Sequence, residues 1–386
     1  MSFFKDRNCY MKNYNLSLKE KIMGFNWQLL LFICLVVGIG LGMLYSVGGG
    51  WSLWVNKQCL HFLAGLCVLF LLAMFNLRFF MHYAYWIYGG VLAMLICVEL
   101  FGYVGMGSQR WLRLGSLQVQ PSELMKIALV LALARYFHGA SLDDVRTFKF
   151  MVPPVLMMLV PVGLILKQPD LGTALMLVLV SVAIFFIVGV QIWKFILVFL
   201  CGAGAFPVIW SFLHDYQKKR ILTFLNPEQD PLGNGYHIMQ SKITLGSGGF
   251  LGKGFMQGTQ SQLGFIPEKQ TDFIFTVLAE EFGLLGSLIL YILYMVIIAY
   301  GIIIGLKCIS FFGKILALGL TVNFALYVFI NMGMVMGLMP VVGVPLPLMS
   351  YGGTAMLTLC IGFGLIECVG INKEMVIGRL GSIDDE

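Results

Sequence analysis

Charge is what this sequence has least of. Asp, Glu, Lys and Arg make up 11% of its 386 residues, against the roughly 25% that covers the surface of a soluble domain. A water-soluble fold is thereby excluded. Metal and disulfide scaffolds are also missing: there are nine cysteines but no Cys-x-x-Cys pair, and most of them sit inside apolar runs (Cys34, Cys67, Cys97, Cys201, Cys360), where cysteine serves as a small hydrophobe. The one Ser-x-x-Lys string, Ser2–Lys5, lies in the polar N-terminal tail and does not read as a transpeptidase motif, and no histidine is placed as base for a serine nucleophile. That argues against transpeptidase and serine-hydrolase chemistry. Internal repeats of the inverted-transporter kind, pore-filter patterns, low-complexity segments and a cleavable signal peptide are not evident either.

What fills the chain is hydrophobic residue, 59% of the total, with a mean hydropathy of +0.89. A bilayer core of roughly 30 Å takes about 20 apolar residues per helix, and about ten such runs can be read along the chain. They lie near 27–45, 57–75, 79–101, 122–138, 151–166, 171–189, 192–213, 272–306, 311–337 and 349–371. The expected class is an all-α integral membrane protein. Residues 1–25 read as a loose polar N-terminal tail, 26–372 as the polytopic domain, and 373–386 as a C-terminal tail. Within the domain, 214–271 forms one large polar loop.

Basic residues set the orientation. With the N-terminus in the cytoplasm, the inside segments carry Lys5, Arg7, Lys12, Lys19, Lys21, Arg78, Arg135, Arg146, Lys149, Lys194, Lys307, Lys314, Lys373 and Arg379. The short outside loops carry only Lys57, Arg110, Arg113 and Lys167. Positive-inside bias then puts both termini in the cytoplasm and the large loop outside. The net charge of +6 is mostly this topology signal, and nucleic acid is not an expected partner.

Intramembrane charge is costly and therefore informative. Glu123 and Lys126 share a face of the fourth helix after Pro121 and Ser122, either as a self-neutralising pair or as a cation aimed at an anionic head group. Gly107–Gln120 alternates polar and apolar residues like a small interfacial hairpin, with Arg110 and Arg113 in reach of phosphates. Asp170, in Q-P-D-L-G-T, is an ordinary helix N-cap or a partner for Lys126. Glu280 and Glu281 must be paired, protonated or wet if buried. Pro340–Thr354 (P-V-V-G-V-P-L-P-L-M-S-Y-G-G-T) cannot be a regular helix, so it must be packed in protein or line a wet cavity. Ser350 would open the last helix as a cap or anion site.

The long loop is dense in glycine between Gly233 and Gly264 and ends at Asp272, where the chain re-enters the bilayer. Thr271 or Asp272 can cap the following helix. An ionised carboxylate at that outer interface also suits a general base acting on a lipid-linked substrate, with Glu268 one turn earlier in the same site.

These strings together carry a resemblance. P-E-K-Q-T-D-F-I-F, L-P-L-M-S-Y-G-G, Q-P-S-E-L-M-K, Q-P-D-L-G-T-A and the loop from Asn226 to Glu281 stand in the order found in the SEDS family of bacterial membrane proteins (shape, elongation, division, sporulation). The resemblance spans about 25–372, and G-T-Q-S-Q-L at 258–263 is similar to the elongation branch rather than the division branch. Two departures are visible: Lys269-Gln270 replaces a more usual Arg-His or Ala-His, and Gly264 stands where Glu is common.

The resemblance implies a peptidoglycan glycosyltransferase of the bacterial cytoplasmic (inner) membrane. It would polymerise lipid II during elongation and release undecaprenyl diphosphate. It places the catalytic carboxylate on Asp272 and sensitive positions on Glu123, Lys126, Asp170, Glu268, Arg110 and Ser350. A class B penicillin-binding protein and elongation-complex proteins are the implied partners. No cofactor is required by the residues, and a divalent cation (Mg or Mn) is an alternative to Lys126 or Arg110 as the charge that meets the diphosphate. A lipid II flippase and a non-catalytic scaffold for the transpeptidase are the competing functions.

Overall fold

A computed structural model describes residues 16–378, apart from 106–107, 115–116, 213–214, 227–229, 231–232 and 266–267. In chain order the helices are α1 (Leu18–Gly24), α2 (Trp27–Val47), α3 (Leu53–Ala73), α4 (Leu77–Phe101), α5 (Pro121–His138), α6 (Leu142–Arg146), α7 (Phe148–Lys167), α8 (Leu171–Val188), α9 (Ile192–Phe212), α10 (Asp215–Leu225), α11 (Asn234–Ser247), α12 (Thr259–Gln262), α13 (Ile274–Lys307), α14 (Phe311–Val335) and α15 (Gly353–Ile371). Three short strands lie between α4 and α5: β1 (Tyr103–Gly105), β2 (Ser108–Leu114) and β3 (Leu117–Val119).

Among the described residues, eight helices are long and apolar enough to cross a membrane. Two more complete the expected set. Helix α9 is apolar over Ile192–Ala205, and α5 carries Glu123, Lys126 and Arg135 yet is buried along most of its length. It packs among α4, α8 and α14, so it is an interior helix of the bundle, and Glu123 and Lys126 face protein rather than lipid. Every expected span is a helix, which makes the chain a multi-pass α-helical membrane protein. The interfacial hairpin is a three-stranded antiparallel meander, β1-β2-β3. The tail read as loose holds α1, closed by a capping box between Ser17 and Glu20; Lys21 donates to the Met74 carbonyl at 2.6 Å. Residues 1–15 and 379–386 lie outside the described residues.

Helix α7 shows how the bundle tolerates proline. Pro154 and Pro161 cannot donate to the carbonyls four residues earlier, Phe150 and Met157. Tyrosine hydroxyls from neighbouring helices fill both gaps: Tyr136 donates to Phe150 O at 2.8 Å and Tyr88 to Met157 O at 2.9 Å. Tyr88→Phe and Tyr136→Phe should each destabilise the protein by about 1–3 kcal/mol, because each strands a carbonyl. Thermal unfolding in detergent measures this, and the two losses should add, since the sites share no partner. Unchanged melting in both variants would show that lipid or water replaces the tyrosines.

Helix α13 is long, as expected, but broken. Gly283 sits at φ 66° and ψ −158°, and the ladder there is completed by the preceding loop. Lys253 and Gly254 N–H donate to the carbonyls of Glu280 and Glu281 at 3.0 and 2.9 Å, while Leu284 and Leu285 N–H donate to Gly249 and Phe250 O at 3.0 and 3.2 Å. This explains the glycine density of the loop. A Cβ at Gly248 would lie 2.0 Å from Ala279 O, and one at Gly252 would lie 2.1 Å from Glu281 O. Backbone meets backbone here, and only glycine allows the approach.

Candidate functional site

The loop returns to the bundle through a tight turn. Glu268 has φ 50°; its carbonyl accepts from Thr271 N–H at 3.0 Å and Phe273 N–H at 3.5 Å. Helix α13 then starts at Ile274 with Phe273 as its N-cap and no side-chain cap. Neither Thr271 nor Asp272 caps the helix, so that bland use of Asp272 falls away. Instead the segment 270–272 is stitched to the irregular stretch before α15. Tyr351 N–H donates to Gln270 O at 2.9 Å. Ser350 Oγ donates to Thr271 O at 2.6 Å and accepts from Leu346 N–H at 2.8 Å. Asn331 of α14 donates to Asp272 O at 2.9 Å and Val344 O at 2.7 Å.

The Asp272 side chain is thus held by its backbone alone. Among the described residues no hydrogen bond or ion pair reaches its carboxylate. Gly343 borders it: a Cβ there, at φ 73°, would lie 3.5 Å from Oδ2. Burial raises the Asp272 carboxyl from 3.8 to about 6; the negative Glu268 adds to the rise and the Arg220 guanidinium of α10 opposes it. A carboxylate poised near neutrality and not spent on a cap or an ion pair has the properties of a general base.

Ser350 does something other than expected. Helix α15 begins at Gly353, with Gly352 as N-cap, so Ser350 is neither a cap nor an anion site at that helix. Its hydroxyl is a clip between the 268–272 turn and the 346–350 turn. Gln58 of α3 extends the clip, donating to Ser350 O at 2.9 Å and accepting from Gly352 N–H at 3.3 Å. Tyr294 donates to Pro347 O at 2.7 Å. The irregular Pro340–Thr354 stretch is therefore packed in protein: Val344, Leu346, Leu348 and Met349 are buried. A small cavity remains beside it, between Tyr327, the turn at 345–350 and the start of α15.

Glu123 and Lys126 meet Tyr327 of α14. Lys126 Nζ lies 2.7 Å from Glu123 Oε1 and donates to the Tyr327 hydroxyl, which donates to Glu123 Oε2 at 2.5 Å. The Lys126 side chain is only 1% exposed. Tyr327 and Asn331 are one turn apart on α14, so they share a face. The charged triad consequently lies about 6 Å deeper along that helix than the backbone of Asp272. Asp170 does not pair with Lys126. It caps α8 through Thr173 N–H at 3.3 Å, accepts from Gln120 at 3.2 Å and faces Arg110 Nη1 at 3.9 Å. Arg110 is committed as well, donating through Nε to Gln168 O at 3.2 Å and through Nη2 to Pro169 O. The Arg113 side chain lies outside the described residues.

Sequence reasoning missed Arg220, Tyr327, Asn331 and Gln58. The last three are polar residues within otherwise apolar helices, which is a readable signal. Arg220 is hidden in a K-K-R run that reads as loop charge. No group of three His, Cys, Asp or Glu converges among the described residues as a metal site.

Comparison with known proteins places this geometry in context. Residues 21–375 match the family model FTSW_RODA_SPOVE, described as "Cell cycle protein". The chain is 41% identical over 351 residues to the peptidoglycan glycosyltransferase MrdB of Escherichia coli (strain K12), covering 90% of this chain and 94% of that one. It is 34% identical over 355 residues to stage V sporulation protein E of Bacillus subtilis (strain 168), covering 88% and 94%. Among solved structures it is similar to a chain from work on the structural coordination of polymerization and crosslinking by a peptidoglycan synthase complex. That match has a TM-score of 0.79 and 32% identity, over 90% of this chain and 98% of that one. The rod shape determining protein RodA of Thermus thermophilus matches with a TM-score of 0.69 and 29% identity, over 91% and 98%.

Proposed function

The chain belongs to the FtsW/RodA/SpoVE (SEDS) family of cell cycle proteins, and from that premise we propose that it is a peptidoglycan glycosyltransferase whose base is Asp272. The observation that carries the reading is the Asp272 carboxylate: raised to about 6 by burial, set just outside α13, and free of cap or ion pair.

The proposed reaction joins two lipid-linked disaccharides. Asp272 takes the proton from the acceptor hydroxyl, the GlcNAc 4-OH of lipid II. The oxygen attacks the donor anomeric carbon, the bond to undecaprenyl diphosphate breaks, and the glycan grows by one unit with inversion. No covalent enzyme intermediate and no second carboxylate acid are needed, because diphosphate leaves without prior protonation. This differs from the paired carboxylates of glycoside hydrolysis. The loop 214–271 faces outward and both termini face the cytoplasm, so lipid II arrives laterally at the height of Asp272.

Charge developing on the diphosphate needs a cation. Arg220 of α10 is the cation whose charge acts on the Asp272 carboxyl, and that nearness is the ground for giving it the diphosphate role, with Lys126, deeper in the bundle beside Tyr327, as a second cation. Arg220→Met should lower kcat/KM for lipid II by about 10–100-fold, the range for a charge-assisted hydrogen bond worth about 1.5–3 kcal/mol. A loss under threefold would remove Arg220 from this role. Transpeptidation falls to a class B penicillin-binding protein, in keeping with the likeness to a chain of a peptidoglycan synthase complex.

The deciding experiment supplies labelled lipid II in detergent to the purified protein with its transpeptidase partner. Glycan polymer is expected from the wild-type chain and none from folded Asp272→Ala. Polymerisation by Asp272→Ala at the wild-type rate would sink the base assignment. Failure of both, with lipid II crossing vesicles that contain the protein, would instead make it a flippase. Activation of the partner alone would make it a scaffold.

A further inference from the structure

Glu280 is the most heavily engaged charge that this chemistry does not use. It is fully buried on α13, eight residues past Asp272. Its Oε1 accepts from Lys253 Nζ at 2.7 Å, from Gln260 N–H at 2.8 Å and from the Thr259 hydroxyl at 3.4 Å. Oε2 accepts from Ser261 N–H at 3.0 Å. Thr259, Gln260 and Ser261 open α12, so the carboxylate takes N–H groups that a helix start leaves unpaired. Lys253 Nζ also donates to Thr259 Oγ1 at 2.9 Å. A Cβ at Gly258 would sit 2.8 Å from Glu280 Oε2, so glycine lets the loop close on the carboxylate.

The constraint passes on from α12. Ser261 O accepts from Lys269 Nζ at 2.8 Å, and Lys269 follows the left-handed Glu268 in the turn that ends at Asp272. Residues 258–280 thus form a closed circuit. One end is the start of α13, which carries Glu280 and follows directly on the turn that ends at Asp272. The other end is α12, pinned to Glu280 and tied back to the turn by Lys269. Burying a carboxylate is unfavourable unless donors surround it. The helix break itself is already satisfied by backbone bonds from Gly249, Phe250, Lys253 and Gly254, so Glu280 is not required for that.

We propose that Glu280 is a positioning residue for Asp272: with Lys253 it clamps the start of α12, and through Lys269 this clamp fixes the turn that presents the Asp272 carboxylate. The proposal rests on Asp272 as the base, and one of its readouts does not involve activity.

The test compares Glu280→Ala, Glu280→Gln and Lys253→Met in the full chain with its partner. Glu280→Ala should lower kcat by about 10–100-fold while KM for lipid II changes less than about threefold, the signature of a misplaced group. Glu280→Gln keeps an acceptor oxygen and should recover most of that loss. Amide exchange at Gln260 and Ser261 should rise in Glu280→Ala. The charges that act on Asp272 are Glu268 in its own turn and Arg220 of α10, and His237 of α11 lies against the neighbouring Phe273 ring; all are unchanged in these variants. A loosened turn hydrates Asp272, so the acid limb of kcat should move below pH 6.

A merely structural Glu280 would reduce the yield of folded protein and leave kcat per folded molecule and the acid limb as in wild type, whatever the exchange at Gln260 and Ser261; that result overturns the proposal. If Glu280→Ala does not fold, Lys253→Met decides: a several-fold loss of kcat with faster exchange at Gln260 supports the clamp, and wild-type values overturn it. Active Asp272→Asn would remove the base reading, while the exchange measurement would still report on the clamp.

Discussion

Asp272→Asn should fold, melt no lower than the wild type at pH 7.5, and polymerise lipid II at most at about a hundredth to a ten-thousandth of the wild-type rate, the range for losing a positioned general base. The sign of both effects follows from the raised carboxyl, about 6 against an ordinary 3.8. Catalysis needs the ionised form, so wild-type kcat should fall about tenfold per pH unit below pH 6 and level off above it. Stability runs the other way. A carboxyl whose folded pKa is raised binds its proton more tightly in the folded state. It favours folding when protonated and opposes it as pH rises from the ordinary value through about 6. Asparagine removes that opposition, so the variant's advantage in melting temperature should be largest near neutrality and vanish toward pH 4. Rate against pH and melting against pH, on the same two proteins, check the pair. A variant that retains a tenth of wild-type turnover, or a wild-type rate flat between pH 5 and 7, would remove Asp272 from the proton transfer.

That Asp272 could be picked out from sequence has a physical basis, and so do the places where the reading stopped short. Long apolar runs with sparse charge leave little freedom, because an unpaired backbone group in lipid is too unfavourable. All ten spans were legible for that reason, and so was the irregular Pro340–Thr354 stretch. Asp272 was legible because it is the last charge before such a run. Pairing was not legible. Asp170 and Lys126 read as partners because both stand at the outer ends of helices. In the fold, Asp170 is taken by Arg110 from the β-meander and Lys126 by Glu123 and Tyr327. Such choices depend on the rotation of each helix about its axis, which hydropathy does not report. Ser350 looked like a cap because it stands near the start of a helix; three further residues of turn let it reach Thr271 instead. Glu280 and Glu281 had no visible partners because those partners lie in the glycine loop and on α2: Lys253, the start of α12, and the hydroxyl of Ser46.

The pair beneath Asp272 gives the second large effect. Glu123→Gln alone, or Lys126→Met alone, should destabilise the protein by about 3–5 kcal/mol, because each leaves an uncompensated charge in the bundle interior. The double variant Glu123→Gln/Lys126→Met should regain most of that, since replacing both members of a buried pair with neutral groups of similar volume is often neutral or better. The recovery bears on function. A pair that apolar residues can replace without loss is not retained for stability. Lys126 lies 4.2 Å from the Tyr327 ring centroid, and Tyr327 lines the cavity behind the Ser350 turn, one turn of α14 below the segment that carries Asp272. An ammonium there is placed to be drawn toward diphosphate when the leaving group arrives, with Glu123 and Tyr327 holding it until then. The double variant should accordingly melt within a few degrees of wild type while its turnover stays at least about tenfold down, about 1.4 kcal/mol of lost transition-state stabilisation. Thermal unfolding and lipid II polymerisation on the same preparations separate the two roles. If melting and turnover both return in the double variant, the pair is structural and Arg220 must carry the leaving-group charge unaided. If melting returns and turnover does not, Lys126 belongs to the reaction.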